Sequence, residues 1–145
     1  MIHLEVNQKG LRGGQCLPAQ VLKDLGKAAS RGLKIRAGKV VSVAFVSERE
    51  IKKLNKRYRK KEAVTDVLSF PFSDGEEAGE ILICYKEAKR QAKLYKTSTR
   101  VEVILLIVHG LLHIFDHHHK TKQQEKEMRA LTQKIMKSLS LPCRL

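Results

Sequence analysis

Apolar and polar positions along this chain switch between a period of two and a helical period, and the switches mark out most of its elements. IHLEV alternates and predicts a first strand. After a Gly-containing loop, Pro18 suits the opening of a helix whose apolar positions Val21, Leu22, Leu25, Ala28 and Ala29 share one face, with Gly32 placed to end it. KVVSVAFV, Lys39 to Val46, is β-branched and reads as a buried strand. Ser47 and Glu50 have capping-box spacing and start a helix with Ile51 and Leu54 inward and basic residues outward, expected to stop near Arg59. VTDVLSFPF is a short strand closed by Pro71, which tolerates only an edge or a strand end. The acidic loop SDGEEAG leads to a further strand, EILICY, and the economical pairing of these two is antiparallel. A basic helix follows from about Lys86 to Leu94, and a last helix opens at Thr121 and Gln124 with Met128, Leu131, Ile135 and Leu139 as its inner stripe.

Between those two helices lies the most apolar run, Val101 to Phe115, which continues into FDHHH. It is long enough for about four helical turns, with Thr99 and Glu102 spaced as a capping box, and predicts a buried central helix. Five of the six histidines of the chain fall within Val101 to His119. His109 and His113, four apart, lie on the same helical face. FDHHH breaks the helix and turns the chain back, so His119 completes a His-x3-His-x5-His pattern. Three neutral imidazoles leave zinc a fourth position for water, the arrangement of a catalytic rather than a closed structural site. A lone core histidine is commonly a satisfied packing residue, but two at helical spacing in a run this apolar would each need a buried partner. Position 110, where a His-Glu-x-x-His protease carries its general base, is glycine.

Length and composition add the setting. The 145 residues predict one domain, with 42% hydrophobic residues sufficient for a core without staples. Strands alternating with helices early and helices late predict an α+β fold, a mixed sheet covered by helices. Three cysteines, far apart and without Cys-x-x-Cys spacing, suggest ordinary thiols, with Cys84 in the core. No apolar run reaches membrane-span length and the start lacks a signal-peptide core, so the expectation is a cytoplasmic protein without membrane contact. The net charge of +14 is uneven. Ser47 to Lys61 holds eight basic and two acidic residues, whereas Glu62 to Tyr85 holds six acidic and no basic ones. Such an excess points to a polyanion partner, with Lys53, Lys56, Arg57, Arg59, Lys60 and Lys61 as a phosphate-tracking surface.

Two segments together carry a family resemblance. HGLLHIFDHHH resembles the motif His-Gly-x-Leu-His-Leu-x-Gly-Tyr-Asp-His, and NKRYRKKEAVTDVLSFPF resembles the Asn-x-x-Tyr-Arg…Thr-Asp-Val-Leu-Ser-Phe-Pro segment, of the YbeY family of endoribonucleases; GEILI stands where that family has Gly-Asp-Ile. The resemblance implies a single domain over residues 1–145 with a four-stranded mixed sheet, related to zincin-like metalloproteins. It implies a zinc-dependent, single-strand-specific endoribonuclease acting in ribosomal RNA maturation, at the 3′ end of 16S rRNA, and in ribosome quality control. Single-stranded RNA and the ribosome or its small-subunit precursor are then the expected partners. Matched by position, one zinc ion falls on His109, His113 and His119, and the active-site arginine on Arg59, which makes Arg59 and His109 the candidate catalytic residues.

This chain departs from the motif at three places: Asp116 stands for glycine, His117 for tyrosine and His118 for the acidic residue. Aspartate turns with positive φ less readily than glycine, yet more readily than most residues. Three consecutive histidines leave His117 and His118 as alternative third ligands if the turn shifts. Asn55, Thr65, Asp66 and Ser69 read as mostly structural, since Thr-Asp before a strand makes local turn bonds. Two other functions stay open at this point: a ribosome assembly factor with a structural zinc, closed by a fourth ligand such as Asp66 or Asp116, and a zinc peptidase.

Overall fold

The computed structural model describes residues 1–61 and 63–145. Among the described residues, four strands and five α-helices follow one another as β1 (Ile2–Asn7), α1 (Ala19–Leu33), β2 (Lys39–Val46), α2 (Glu48–Arg59), β3 (Val67–Pro71), β4 (Glu77–Cys84), α3 (Tyr85–Leu94), α4 (Thr99–Ile114) and α5 (Lys122–Ser138). The sheet order is β1-β2-β4-β3. β1 pairs with β2, and β2 with β4, in parallel, while β3 runs antiparallel to β4 at the edge. Pro71 therefore ends an edge strand, where its missing N–H interrupts no central ladder. This is a single-domain α+β fold on a mixed four-stranded sheet.

α4 is hydrophobic all round, which suits a helix enclosed on every side. It buries nine aliphatic side chains, from Val103 through Ile114. At about 1.5–3 kcal/mol per buried aliphatic side chain, its burial is the largest contribution of any helix to the core. One core cluster lies between the sheet and α1, α3, α4 and α5; a smaller one of Ile51, Leu68, Leu82 and Cys84 lies under α2 on the opposite face. Gly110 lets α4 approach the sheet, because a Cβ there would come within 2.7 Å of Ile81 Cδ1.

Two helix ends differ from the sequence expectation. The cap of α4 is Ser98, whose hydroxyl accepts the Val101 N–H at 3.1 Å, and not Thr99 with Glu102. Glu102 is fully buried and pairs instead with Arg144. α1 runs past Gly32 and ends with Lys34 in the left-handed conformation, φ 57°. Gly32 is needed for closeness, since a Cβ would sit 2.8 Å from Ile135 Cγ1 of α5. The boxes at Ser47/Glu50 and Thr121/Gln124 form as the spacing predicts. Among the described residues no single helix is long and apolar enough to cross a membrane.

Candidate metal centre

His109 and His113 project from successive turns of α4, and their Nε2 atoms face each other at 3.1 Å. Past Ile114 the chain reverses. His117 N–H donates to the Leu112 carbonyl at 2.8 Å, and Asp116 takes a φ of 72°, the positive value that glycine would adopt without steric cost. The turn therefore forms with aspartate in the glycine position. It returns His119 to a ring-centroid distance of 5.2 Å from His113 and 6.0 Å from His109. One ligand nitrogen from each of the three lies within 4.8 Å of the others.

Their neighbours do not join them. His118 Nε2 lies 3.4 Å from the Asp116 carboxylate, which is 97% exposed. His117 and Asp66 are likewise outside the set of converging donors. Among the described residues the centre thus offers three protein ligands and no fourth, leaving a tetrahedral ion one open position. Two of the donors, His109 and His113, are held in the neutral, ligating state. Burial, then the charges of His119, Arg59 and Arg144, bring the His109 pKa down to about 4. Burial, then the other histidines and Arg59, do the same for His113, also to about 4. Neutral imidazoles present lone pairs to a cation, and nitrogen donors in this geometry fit zinc and its neighbours.

The imidazoles form one wall of a cavity of about 460 Å³. Tyr58 and Arg59 from the end of α2, and Thr65, Asp66, Ser69 and Phe70 from the approach to β3 and β3 itself, line the other side. Arg59 reaches it because α2 stops there: Lys60 turns left-handed at φ 56°, and buried Asn55 ties the loop by donating from Nδ2 to the Ala63 carbonyl at 3.0 Å. Tyr58 packs edge-on against Phe70, with ring centroids 5.2 Å apart, and Arg57 lies over the outer side of Tyr58. Lys53, Lys56, Arg57, Lys60 and Lys61 are exposed on α2 and its following turn and do not line the cavity.

Thr65, Asp66 and Ser69, read from the sequence as mostly structural, line the cavity, and Thr65 Oγ1 also donates to the Asp66 carboxylate at 3.4 Å. Their shared presence in the NKRYRKKEAVTDVLSFPF segment with Arg59 was the available signal. Position 110 carries no carboxylate to serve as the base of a His-Glu-x-x-His protease, and a Cβ there would crowd Ile81.

An open centre of three imidazoles, two of them on a core helix and packed over a mixed sheet, defines a zincin-like metal-site class. Comparison with known proteins narrows it. The family model described as Endoribonuclease YbeY matches residues 15–140. Endoribonuclease YbeY of Carboxydothermus hydrogenoformans is 42% identical over 109 residues, 73% of this chain and 76% of that protein. Endoribonuclease YbeY of Ureaplasma parvum serovar 3 is 36% identical over 129 residues, covering 86% of this chain and 83% of its own. A solution structure from Thermotoga maritima, 25% identical, superposes with a TM-score of 0.61 over 97% of this chain and 92% of that one. The chain belongs to the endoribonuclease YbeY family.

Proposed function

We propose that this chain is a metal-dependent, single-strand-specific endoribonuclease of ribosomal RNA maturation, residues 1–145 acting as one unit. One zinc ion is held by His109, His113 and His119, and the substrate is presented by the ribosome or its small-subunit precursor. One observation carries the reading: Arg59 and the three imidazoles line the same cavity. A zinc ion held by these imidazoles would supply Lewis acidity toward a phosphate oxygen or toward water.

The remaining work falls to the chain's own side chains. The Arg59 guanidinium is permanently charged and planar, so it grips two non-bridging phosphate oxygens at once and stabilises negative charge as it grows there. The hydroxyls of Thr65 and Ser69 offer hydrogen bonds to sugar or phosphate, and Tyr58, 56% exposed at the cavity rim, offers a face for a base. The edge packing of Tyr58 on Phe70 holds that face in place. A closed, structural metal would need a fourth donor, and the described residues supply none.

Elemental analysis of purified protein, paired with cleavage of single-stranded RNA on the same samples, tests this. The expected result is one metal per chain and cutting that falls about tenfold or more in Arg59→Lys, where the bidentate grip is lost. A metal-loaded preparation that leaves single-stranded RNA intact would refute the proposal. A 2′,3′-cyclic phosphate on the product would assign the attacking oxygen to the ribose, and its absence would count against that assignment.

A further inference from the structure

A second crevice lies at the carboxyl ends of the three parallel strands. It has a volume of about 420 Å³ and is walled by the loop after β1 (Lys9 to Gln15), the β2–α2 junction (Phe45 to Ser47) and the β4–α3 junction (Tyr85, Lys86, Lys89). It opens there because α1 and α2, which flank β2 in the chain, pack on opposite faces of the sheet, and connections that part in this way leave a gap beyond the strand ends.

Its lining has two chemistries. Phe45 and Tyr85 are half-buried and meet edge to face with centroids 6.1 Å apart, a rigid aromatic wall. Lys9 and Lys89 are exposed and have no ionic partner among the described residues, whereas Lys86 is held 3.0 Å from Glu48. Free ammonium groups beside aromatic rings suit a phosphodiester strand, whose backbone is anionic and whose bases stack.

α2 connects this crevice to the metal cavity. Its cap Ser47 belongs to the crevice wall, and Tyr58 and Arg59 in its last turn belong to the cavity wall. Twelve residues of helix span roughly 18 Å at 1.5 Å each. Lys52, Lys53, Lys56 and Arg57 are exposed along that length. We propose that the crevice of Lys9, Lys89, Phe45 and Tyr85 is a second subsite for the single-stranded RNA, engaged by nucleotides remote from the cut after the strand has followed α2. The inference rests on the RNA substrate proposed above and adds where the strand goes when it leaves the metal cavity.

Fluorescence anisotropy with full-length protein and 2′-O-methyl RNA, one probe of about ten nucleotides and one of about four, decides it within the range of single-strand site sizes. Lys9→Glu/Lys89→Glu is expected to weaken the long probe about tenfold and leave the short probe unchanged. The salt slope for the long probe should fall by about 1.4, two phosphate contacts at about 0.7 each. Tyr85→Leu should weaken the long probe about fivefold, with circular dichroism confirming the fold of each variant. An unchanged long probe, an equal loss for both lengths, or an equal loss for a polyglutamate peptide would overturn the subsite. Wild-type protein that binds the long probe but cuts no RNA would end the nuclease proposal while the length-dependent loss still supports the subsite. Protein that cuts RNA normally with a silent Lys9→Glu/Lys89→Glu would end the subsite alone.

Discussion

The two ends of α4 treat buried polar groups in opposite ways. At its first turn, Glu102 is fully buried and Arg144 reaches it with two hydrogen bonds, Nη2 at 2.9 Å and Nε at 3.1 Å, while the guanidinium lies 4.1 Å over the Tyr95 ring. Two turns further along the same face, His109 and His113 face one another with no carboxylate among the described residues to charge them. Glu102 is answered by a guanidinium within the chain; the imidazoles are kept neutral by burial and by neighbouring positive charge. A polar group that holds the fold together is matched within the chain, because an unpaired buried charge is strongly destabilising. Groups with lone pairs left unmatched are available to something from outside.

That contrast can be broken from either end. His113→Ala is expected to reduce RNA cleavage by about a thousandfold, close to 4 kcal/mol of transition-state stabilisation. Metal content should fall with it, while the urea midpoint of the metal-free protein stays level or rises, since a poorly solvated imidazole has gone. Unfolding of His113→Ala before any loss of metal would contradict the division of labour.

Arg144→Ala attacks the other end and should cost about 3 kcal/mol, the lower part of the range for stripping one partner from a buried pair, because its side chain keeps 24% exposure. Glu102→Gln/Arg144→Ala should recover part of that loss in urea unfolding, as the uncompensated charge is removed. Equal destabilisation by the single and double variants would show that packing of Arg144 on Tyr95, and not the charge pair, is what matters.

Acid tests the histidine end directly. Histidines whose folded pKa is about 4, against an ordinary 6.5, remain neutral in the folded state while the unfolded chain takes up protons. The contribution of these two histidines to the stability of metal-free protein therefore falls as pH drops from about 6.5 and levels off below about 4. His109→Ala/His113→Ala should flatten that dependence; an unchanged slope would place its origin elsewhere. The smallest effect is at the turn. Asp116→Gly removes the cost of a positive φ and adds unfolded-chain entropy, so stability should change by less than about 1 kcal/mol, with metal content retained.

Much of this architecture is legible in the sequence alone. The strand Lys39–Val46, the helix stop at Arg59, the edge position of Pro71 and the capping boxes at Ser47 and Thr121 are local, and local spacing reports them. The convergence of His109, His113 and His119 was legible because two of them share a helix and the third follows six residues later. Ser98 was missed as the α4 cap because Thr99 and Glu102 have the same spacing one residue later, and only burial shows that Glu102 points inward. Gly32 read as a terminator because its partner, Ile135, is a hundred residues away in α5.

Sequence by itself determined the periodicities, the caps, the imidazole spacing and the basic face of α2, all set by interactions within a few residues. Tertiary structure decided which of three consecutive histidines turns back to the centre, which carboxylate is buried with Arg144, and that Arg59, Thr65, Asp66 and Ser69 share a cavity with the imidazoles. Those outcomes depend on how strands pair and how closely α4 settles on the sheet. The side chains involved are distant along the chain, so no local pattern records their meeting.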